Sequence, residues 1–206
     1  MPAMSSLEQA FCRSLPWRAF TRRVVFPWAI GDNDLTGDVL ELGSGSGAMA
    51  VELLDRYPTI RLTATDVDPA MRAAASRRLT GYGDRVEVRD ADATQLPFDD
   101  ARFDAVVSFI MLHHVIDWET ALAEIARVLR PGGVLVGYDL VESPMSKLTH
   151  RLDRSPHRMA STDGLRARLA ALPYQHIIVS PTLGRLVTRF RADRTTRQTP
   201  DTERLQ

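Results

Sequence analysis

Cysteine occurs once in this chain, at Cys12, and lysine once, at Lys147. A lone cysteine excludes an intrachain disulfide framework and a cysteine-based zinc site. The single lysine leaves no Tyr-x-x-x-Lys pair, because Ser143 stands four residues before it. No apolar run approaches the roughly 20 residues of a membrane span. The first residues, with Pro2, Glu8, Arg13 and Pro16, lack the apolar core of a signal peptide. No membrane span and a cytoplasmic location are therefore expected. Net charge is also missing: 26 basic residues balance 26 acidic ones, so no global field selects a polyanionic partner. The distribution is uneven, with twelve Lys or Arg against five Asp or Glu from Met145 onward and fourteen against twenty-one before it. That excess reads as solvated surface or as a face for an anionic substrate or nucleic acid.

At 206 residues, with 44% hydrophobic and 25% charged content, the chain has the composition of an ordinary globular protein with a full core. The segment before Thr36 is aromatic and basic, with Phe11, Trp17, Phe20, Phe26 and Trp28. Pro16 and Pro27 are expected to break it into short helical pieces. A regular alternation follows. Strands are predicted at Asp38–Leu42, Arg61–Thr65, Arg85–Arg89, Asp104–Phe109 and Val134–Tyr138. Helices are predicted between them at Gly47–Tyr57, Pro69–Leu79 and Trp118–Leu129. Such spacing implies right-handed βαβ units and a parallel sheet. Asp68 is placed as an N-cap before Pro69, and Arg130-Pro-Gly-Gly133 is read as the stop after the helix.

Beyond Val141 the pattern loosens. Ser143 to Thr162 is rich in Arg, His and Ser and reads as a loop or short helix. A helix from Thr162 or Asp163 to Leu172 follows. Gln175–Ser180 and Gly184–Phe190 read as a closing hairpin turned by Pro181-Thr-Leu-Gly184. The polar tail from Asp193 is expected to be disordered. One domain is expected: a helical lid over 1–35, a cofactor-binding core over 36–141, a substrate-side insertion and final hairpin over 142–192, and a flexible tail over 193–206.

The chemistry concentrates in Val39-Leu-Glu-Leu-Gly-Ser-Gly-Ser-Gly47. Val39, Leu40 and Leu42 read as a buried strand, while Gly43, Gly45 and Gly47 allow a tight turn with a ligand lying almost on the backbone. A helix starting near Gly47 points free N–H groups at that ligand. The spacing is Glu-x-Gly-x-Gly-x-Gly rather than the Gly-x-Gly-x-x-Gly of dinucleotide enzymes, and Glu41 would repel a pyrophosphate. In a doubly wound sheet, ligands bind beyond the carboxyl ends of the strands. Strand two ends at Asp66, whose carboxylate suits the two hydroxyls of a ribose. Strand three leads to Asp92, suited to an exocyclic amine, with Leu96 and Phe98 as apolar walls. Asp90 is read as the turn residue there.

Taken together, Val39–Gly47, Thr65-Asp-Val-Asp-Pro69, Asp92-Ala-Thr-Gln-Leu-Pro-Phe98, Phe103-Asp-Ala-Val-Val107 and Arg127-Val-Leu-Arg-Pro-Gly-Gly133 resemble the class I methyltransferases that use S-adenosylmethionine. The likeness is to the branch of the ubiquinone and menaquinone methyltransferases. It implies an α/β Rossmann-like doubly wound sheet, mostly parallel with an antiparallel last strand, in the order 3-2-1-4-5-7-6. It implies S-adenosyl-L-methionine as cofactor, leaving as S-adenosyl-L-homocysteine. Glu41 with Gly43, Ser44, Gly45 and Gly47 would hold its methionine end, Asp66 and Val67 its ribose, and Asp92 with Ala93 its adenine. Ser108, past strand four, would lie near the sulfonium.

Methyl transfer needs alignment and a water-poor setting more than it needs a base. A base matters when the acceptor arrives protonated. His113, in Met111-Leu-His-His-Val115, is the candidate for that role, with His114 as its structural neighbour. The family's metal-binding Glu-x-x-Glu-His cluster is missing from Ile110-Met-Leu-His113-His114, so no metal is expected. Tyr138 and Asp139 could line the acceptor cavity, and His150 and His157 read as surface. Amine-methylating nucleic-acid enzymes carry an Asn/Asp-Pro-Pro-aromatic motif where this chain has Ser108-Phe-Ile-Met111. A small-molecule acceptor, aromatic or lipid-like, is therefore expected, with nucleic acid disfavoured. Trp17, Phe20 and Trp28 would form a lid. The alternatives are an RNA methyltransferase using the basic last third, and a non-catalytic cofactor-binding subunit. A nicotinamide-dependent oxidoreductase is disfavoured by the glycine spacing. The oligomeric state does not follow.

Overall fold

A computed structural model of the chain describes residues 21–141, 158–182 and 187–196. Seven strands form one sheet in the order β3-β2-β1-β4-β5-β7-β6. Their bounds are β1 Asp38–Leu42, β2 Arg61–Thr65, β3 Val86–Arg89, β4 Phe103–Phe109, β5 Leu129–Leu140, β6 Tyr174–Thr182 and β7 Val187–Arg194. The first five run parallel. β7 is antiparallel to both β5 and β6. The order and the antiparallel closure are those that the resemblance implies.

The central strands form because they are apolar on both faces, as a parallel sheet covered on two sides requires. Side chains alternate between faces. Leu40 and Leu42 of β1 join Val106 and Leu135 in one buried cluster. That face is covered by α4 (Trp118–Val128) and α5 (Thr162–Ala170), through Leu122, Ile125, Leu165 and Leu169. Val39 joins Ala105, Val107 and Val136 in the other. Its cover is α1 (Phe26–Ile30), α2 (Ala48–Arg56) and α3 (Pro69–Leu79), through Ile30, Leu53, Ala75 and Leu79. Local signals set the helix starts. Asp68 caps α3 at the amides of Ala70 and Met71, with Pro69 in the first turn. Asp117 caps α4 and Ser161 caps α5.

Several boundaries depart from the sequence reading. Pro27 is an exception: a π-helix over Thr21–Val25 meets α1 beside it, so the helical segment is divided there into two short pieces as expected. Residues 11, 16, 17 and 20 lie outside the described residues. β5 begins at Leu129, not Val134, because the chain pairs Phe103 with Leu129 before Arg130–Gly133 bulges out and pairing resumes at Ala105 and Val134. Pro181 belongs to β6, opposite Thr188, and is tolerated because β6 is an edge strand. The strand β7 continues through Asp193, which pairs with Val134 and Gln175. The expected disorder therefore does not begin there. Polar residues persist in this strand because partners await them: Arg194 Nε donates to the Ala126 carbonyl at 2.7 Å.

Candidate functional site

The carboxyl ends of β1, β2 and β4 lie level, since Leu42 is in register with both Thr65 and Ser108. The glycine loop leaves β1 at this crest, with φ of +66° at Gly43, +52° at Gly45 and +78° at Gly47. Only residues without a Cβ take these values without strain. Each glycine also faces something different. A Cβ on Gly43 would run into the Met111 side chain. One on Gly47 would press on Ala75 Cα at 3.2 Å, so Gly47 lets α2 and α3 pack closely. One on Gly45 would meet nothing within 4 Å. Gly45 therefore borders open space, the property expected of the residue a ligand lies against.

The loop is stitched to β2. The Ser44 amide donates to the Thr65 carbonyl at 2.8 Å, and Thr65 Oγ1 donates to the Glu41 carbonyl at 2.8 Å. Asp66 accepts from the amides of Gly45 at 2.8 Å and Asp68 at 2.9 Å. Burial raises its pKa above the usual aspartate value despite those amides. Glu41 is 2% exposed. Burial, with the neighbouring Asp66 adding to it, pushes its carboxyl up to about 8. Glu41 Oε2, Ser44 Oγ and Ser108 Oγ are buried and find no hydrogen-bond partner among the described residues. Such atoms normally have one.

These orphaned oxygens suit the methionine end of S-adenosylmethionine: a carboxylate for an ammonium, and hydroxyls beside it. Val67 is half-buried next to Asp66. Asp92 begins the turn after β3, where its Oδ1 accepts from Thr94 N at 2.8 Å and Thr94 Oγ1 at 2.7 Å. The turn role assigned to Asp90 thus falls to Asp92, because Asp90 is drawn away to pair with Arg72 at 3.1 Å. Ala93 is buried inside that turn.

After β4 the chain turns sharply. Ile110 takes φ +52°, a strained value for a β-branched residue. His113 is 3% exposed, and its Nδ1 lies 2.5 Å from Asp139 Oδ1. The His114 ring packs against it with centroids 4.0 Å apart. Tyr138 points to the opposite face, between Trp28 and Phe109. Trp28 is thus the one member of the expected aromatic lid within the described residues. His150 and His157 lie outside them. Among the described residues no cluster of His, Cys, Asp or Glu has the geometry of a metal site, and no helix is long and apolar enough to cross a membrane.

Two features escaped the sequence reading. Arg127 and Glu124 of α4 hold the segment after Asp92: Arg127 donates to the carbonyls of Leu96 at 3.0 Å and Phe98 at 2.8 Å, and Glu124 accepts from Leu96 N at 2.9 Å. Arg127 was visible in a motif, but its partners lie some thirty residues away. The described arginines of the basic last third are also engaged within the protein. Arg158 pairs with Glu119. Arg166, Arg168, Arg189 and Arg194 donate to the carbonyls of Val179, Glu119, Trp28 and Ala126, and Arg191 donates to Asn33.

Residues 40–137 match the family model described as "Methyltransferase domain". Over that stretch the chain is similar to the S-adenosylmethionine-dependent methyltransferases of class I. Over 106 residues the chain is 39% identical to a demethylmenaquinone methyltransferase of Thermus thermophilus, which is 52% of this chain and 48% of that protein. The chain thus spans about half the length of the curated relatives it matches. In fold, it superposes with TM-score 0.76 on a chain from the complex of the Haloferax volcanii Trm112 methyltransferase activator with a methyltransferase. That match has 19% identity and covers 94% of this chain and all of that one. It superposes with TM-score 0.73 and 16% identity on a Haemonchus contortus phosphoethanolamine N-methyltransferase bound to S-adenosylhomocysteine, covering 85% of this chain and 52% of that one.

Proposed function

We propose that this chain transfers a methyl group from S-adenosylmethionine to a small-molecule acceptor, aromatic or lipid-like, by in-line displacement. The observation that carries the reading is the buried Glu41, with an orphaned Oε2, beside Asp66 and the open face of Gly45. Asp66 disfavours a phosphate at the glycine loop, and Glu41, protonated while the site is empty, gives up its proton only to a cation, so the pair favours a cationic, ribose-bearing ligand. In this reading Glu41, Ser44, Ser108 and the loop glycines hold the methionine end. Asp66 and Val67 hold the ribose, and Asp92 and Ala93 the adenine, with Leu96 and Phe98 as apolar walls. S-adenosylmethionine, when bound, supplies an electrophilic methyl group and departs as a neutral thioether.

The chain's own contribution is alignment and exclusion of water. Ser108 is fully buried at the end of β4, and Met111, Leu112 and Val115 close the crest beyond it with apolar surface. The acceptor class is supported by the apolar Phe109–Leu112 run in place of a nucleic-acid motif, and by the inward engagement of the six described arginines from Arg158 to Arg194. The Thermus relative's name, a demethylmenaquinone methyltransferase, points the same way. Calorimetric titration with S-adenosylmethionine tests the reading. Wild-type protein should bind, and Asp66→Ala should weaken binding by about 10- to 100-fold, the loss expected for charge-assisted hydrogen bonds. No binding by wild type, or equal binding by the variant, would remove it.

A further inference from the structure

We infer that Asp139 is the positioning residue that sets His113 as a general base, so that the acceptor's nucleophilic atom arrives carrying a proton. The inference rests on the methyltransferase reading and adds to it the acid–base half of the reaction.

Asp139 stands near the end of β5 and is 4% exposed. Its Oδ2 accepts from the amides of Met111 at 3.0 Å and Leu112 at 2.6 Å, and its Oδ1 from its neighbour Leu140 at 2.7 Å. With three backbone N–H donors aimed at it, this carboxyl accepts at both oxygens. The ring nitrogen 2.5 Å from Oδ1 must then be the donor, which places the hydrogen of His113 on Nδ1 and its basic lone pair on Nε2. Main-chain bonds fix the ring's position as well as its tautomer. The His113 carbonyl accepts from Arg158 N at 2.9 Å, and Ile110 N donates to the Tyr138 carbonyl at 2.9 Å. The strained Ile110 persists between these ties, as such backbone does where the surroundings over-determine it.

The dyad also has the right placement. Ser108 is in register with Gly137, and Asp139, two residues on, projects from the same sheet face as Ser108. It thus stands at the crest that carries the glycine loop. Among the described residues, the charged groups near the ring are Asp139 from β5, His114 from the same turn, and Arg158, whose guanidinium is turned onto Glu119 and the Trp118 ring. Anchoring the loop would need only the carboxylate, because Leu140 N already engages Oδ1.

In the step itself, the proton of the acceptor's hydroxyl passes to Nε2 of His113 and then to solvent. The lone pair it leaves on the acceptor forms the new bond to the methyl carbon, and the pair of the broken carbon–sulfur bond stays on sulfur. Each methylation releases one proton. Acceptors with an ionisable hydroxyl need this base; a neutral amine, with its own lone pair, does not.

The test measures S-adenosylhomocysteine formation by the full chain from 4-substituted phenols of graded acidity and from aniline, with wild type, Asp139→Asn and His113→Gln. With phenol, both variants should lose about 100-fold or more in kcat while the KM for S-adenosylmethionine stays put. The loss should shrink towards nothing with 4-nitrophenol, which is largely ionised without help. Equal losses on every phenol would overturn the proposal, as would wild-type protein that methylates no phenol. Failure of wild type to bind S-adenosylmethionine at all is the separate failure of the underlying reading. Should Asp139→Asn not fold, His113→Gln carries the kinetic test. Nitrogen-15 NMR of wild type is an independent check, with an Nδ1–H tautomer expected and an Nε2–H tautomer contradicting the dyad.

Discussion

Glu41 has an unusual property for a binding residue: without a ligand it is held protonated well into the neutral range. Its carboxyl lies at about 8 rather than the ordinary 4.5 because burial, reinforced by Asp66, disfavours the charge. An ammonium brought beside Oε2 reverses that preference, so binding S-adenosylmethionine below pH 8 should expel a proton. Calorimetry near pH 7 in two buffers of different ionisation enthalpy should show up to one proton released, and Glu41→Gln should abolish it. Affinity should rise with pH towards about 8 and then level off. Stability without ligand has the opposite slope. The folded protein binds a proton that the unfolded chain has lost, so this stabilisation is full below about pH 4.5 and lost as pH rises to about 8. Glu41→Gln should flatten that decline in Tm. The glycines divide in a similar way. Gly47→Ala should lower Tm by crowding Ala75. Gly45→Ala has room for its methyl and should cost only the roughly 1–2 kcal/mol of a left-handed residue, yet weaken S-adenosylmethionine binding at least tenfold.

The elements around the site show which physical signals a sequence displays. β1, β2 and β4 are apolar on both faces, so their limits stood out as short runs bounded by turn residues. Glu41 and Asp66 stood out because each is a charge at the rim of such a run. β5 and β7 were misjudged at their ends. In β5 a Pro-Gly-Gly bulge looks like a terminator although pairing spans it. In β7, Asp193 and Arg194 look like a solvated tail although neighbouring elements supply their partners. The roles of Asp139 and Arg127 were hidden for the same reason: their partners lie 26 to 31 residues away in sequence. Arg127 has a consequence at this scale. It and Glu124 suspend Leu96–Asp100 from α4, and that segment supplies the proposed adenine walls. Arg127→Met should leave those carbonyls unpaired, raise the KM for S-adenosylmethionine several-fold with a smaller change in kcat, and speed amide exchange across residues 92–100. An unchanged exchange pattern would show that α4 does not hold the segment.

Across the whole molecule, carboxylates are treated oppositely at the two ends of the sheet. At the amino end of the strands, Asp38 and Asp104 are matched by arginines: Arg102 reaches Asp38 at 2.7 Å and Arg130 reaches Asp104 at 2.5 Å. Burial tends to push Asp38 up, yet Arg102 and Arg130 outweigh it and its pKa falls. At the carboxyl end burial wins: Asp66 is raised although Arg72 and two amides pull it down, and Glu41 is raised by burial and by Asp66. The desolvation cost left at that end is what a cationic ligand offsets, and the ligand would join three strands drawn from residues 38 to 109. Binding to the folded state alone should add about 2.7 kcal/mol at a hundredfold excess over Kd. For a chain of this size each kcal/mol moves Tm by about 2–4 °C. S-adenosylmethionine at that excess should therefore raise Tm by about 5–10 °C, and the rise should grow with the logarithm of its concentration. NAD, which brings a pyrophosphate beside Asp66 and no ammonium to draw the proton from Glu41, should give no shift. A comparable rise with NAD would mean that the crest selects adenosine alone and that Glu41 and Asp66 do not discriminate by charge.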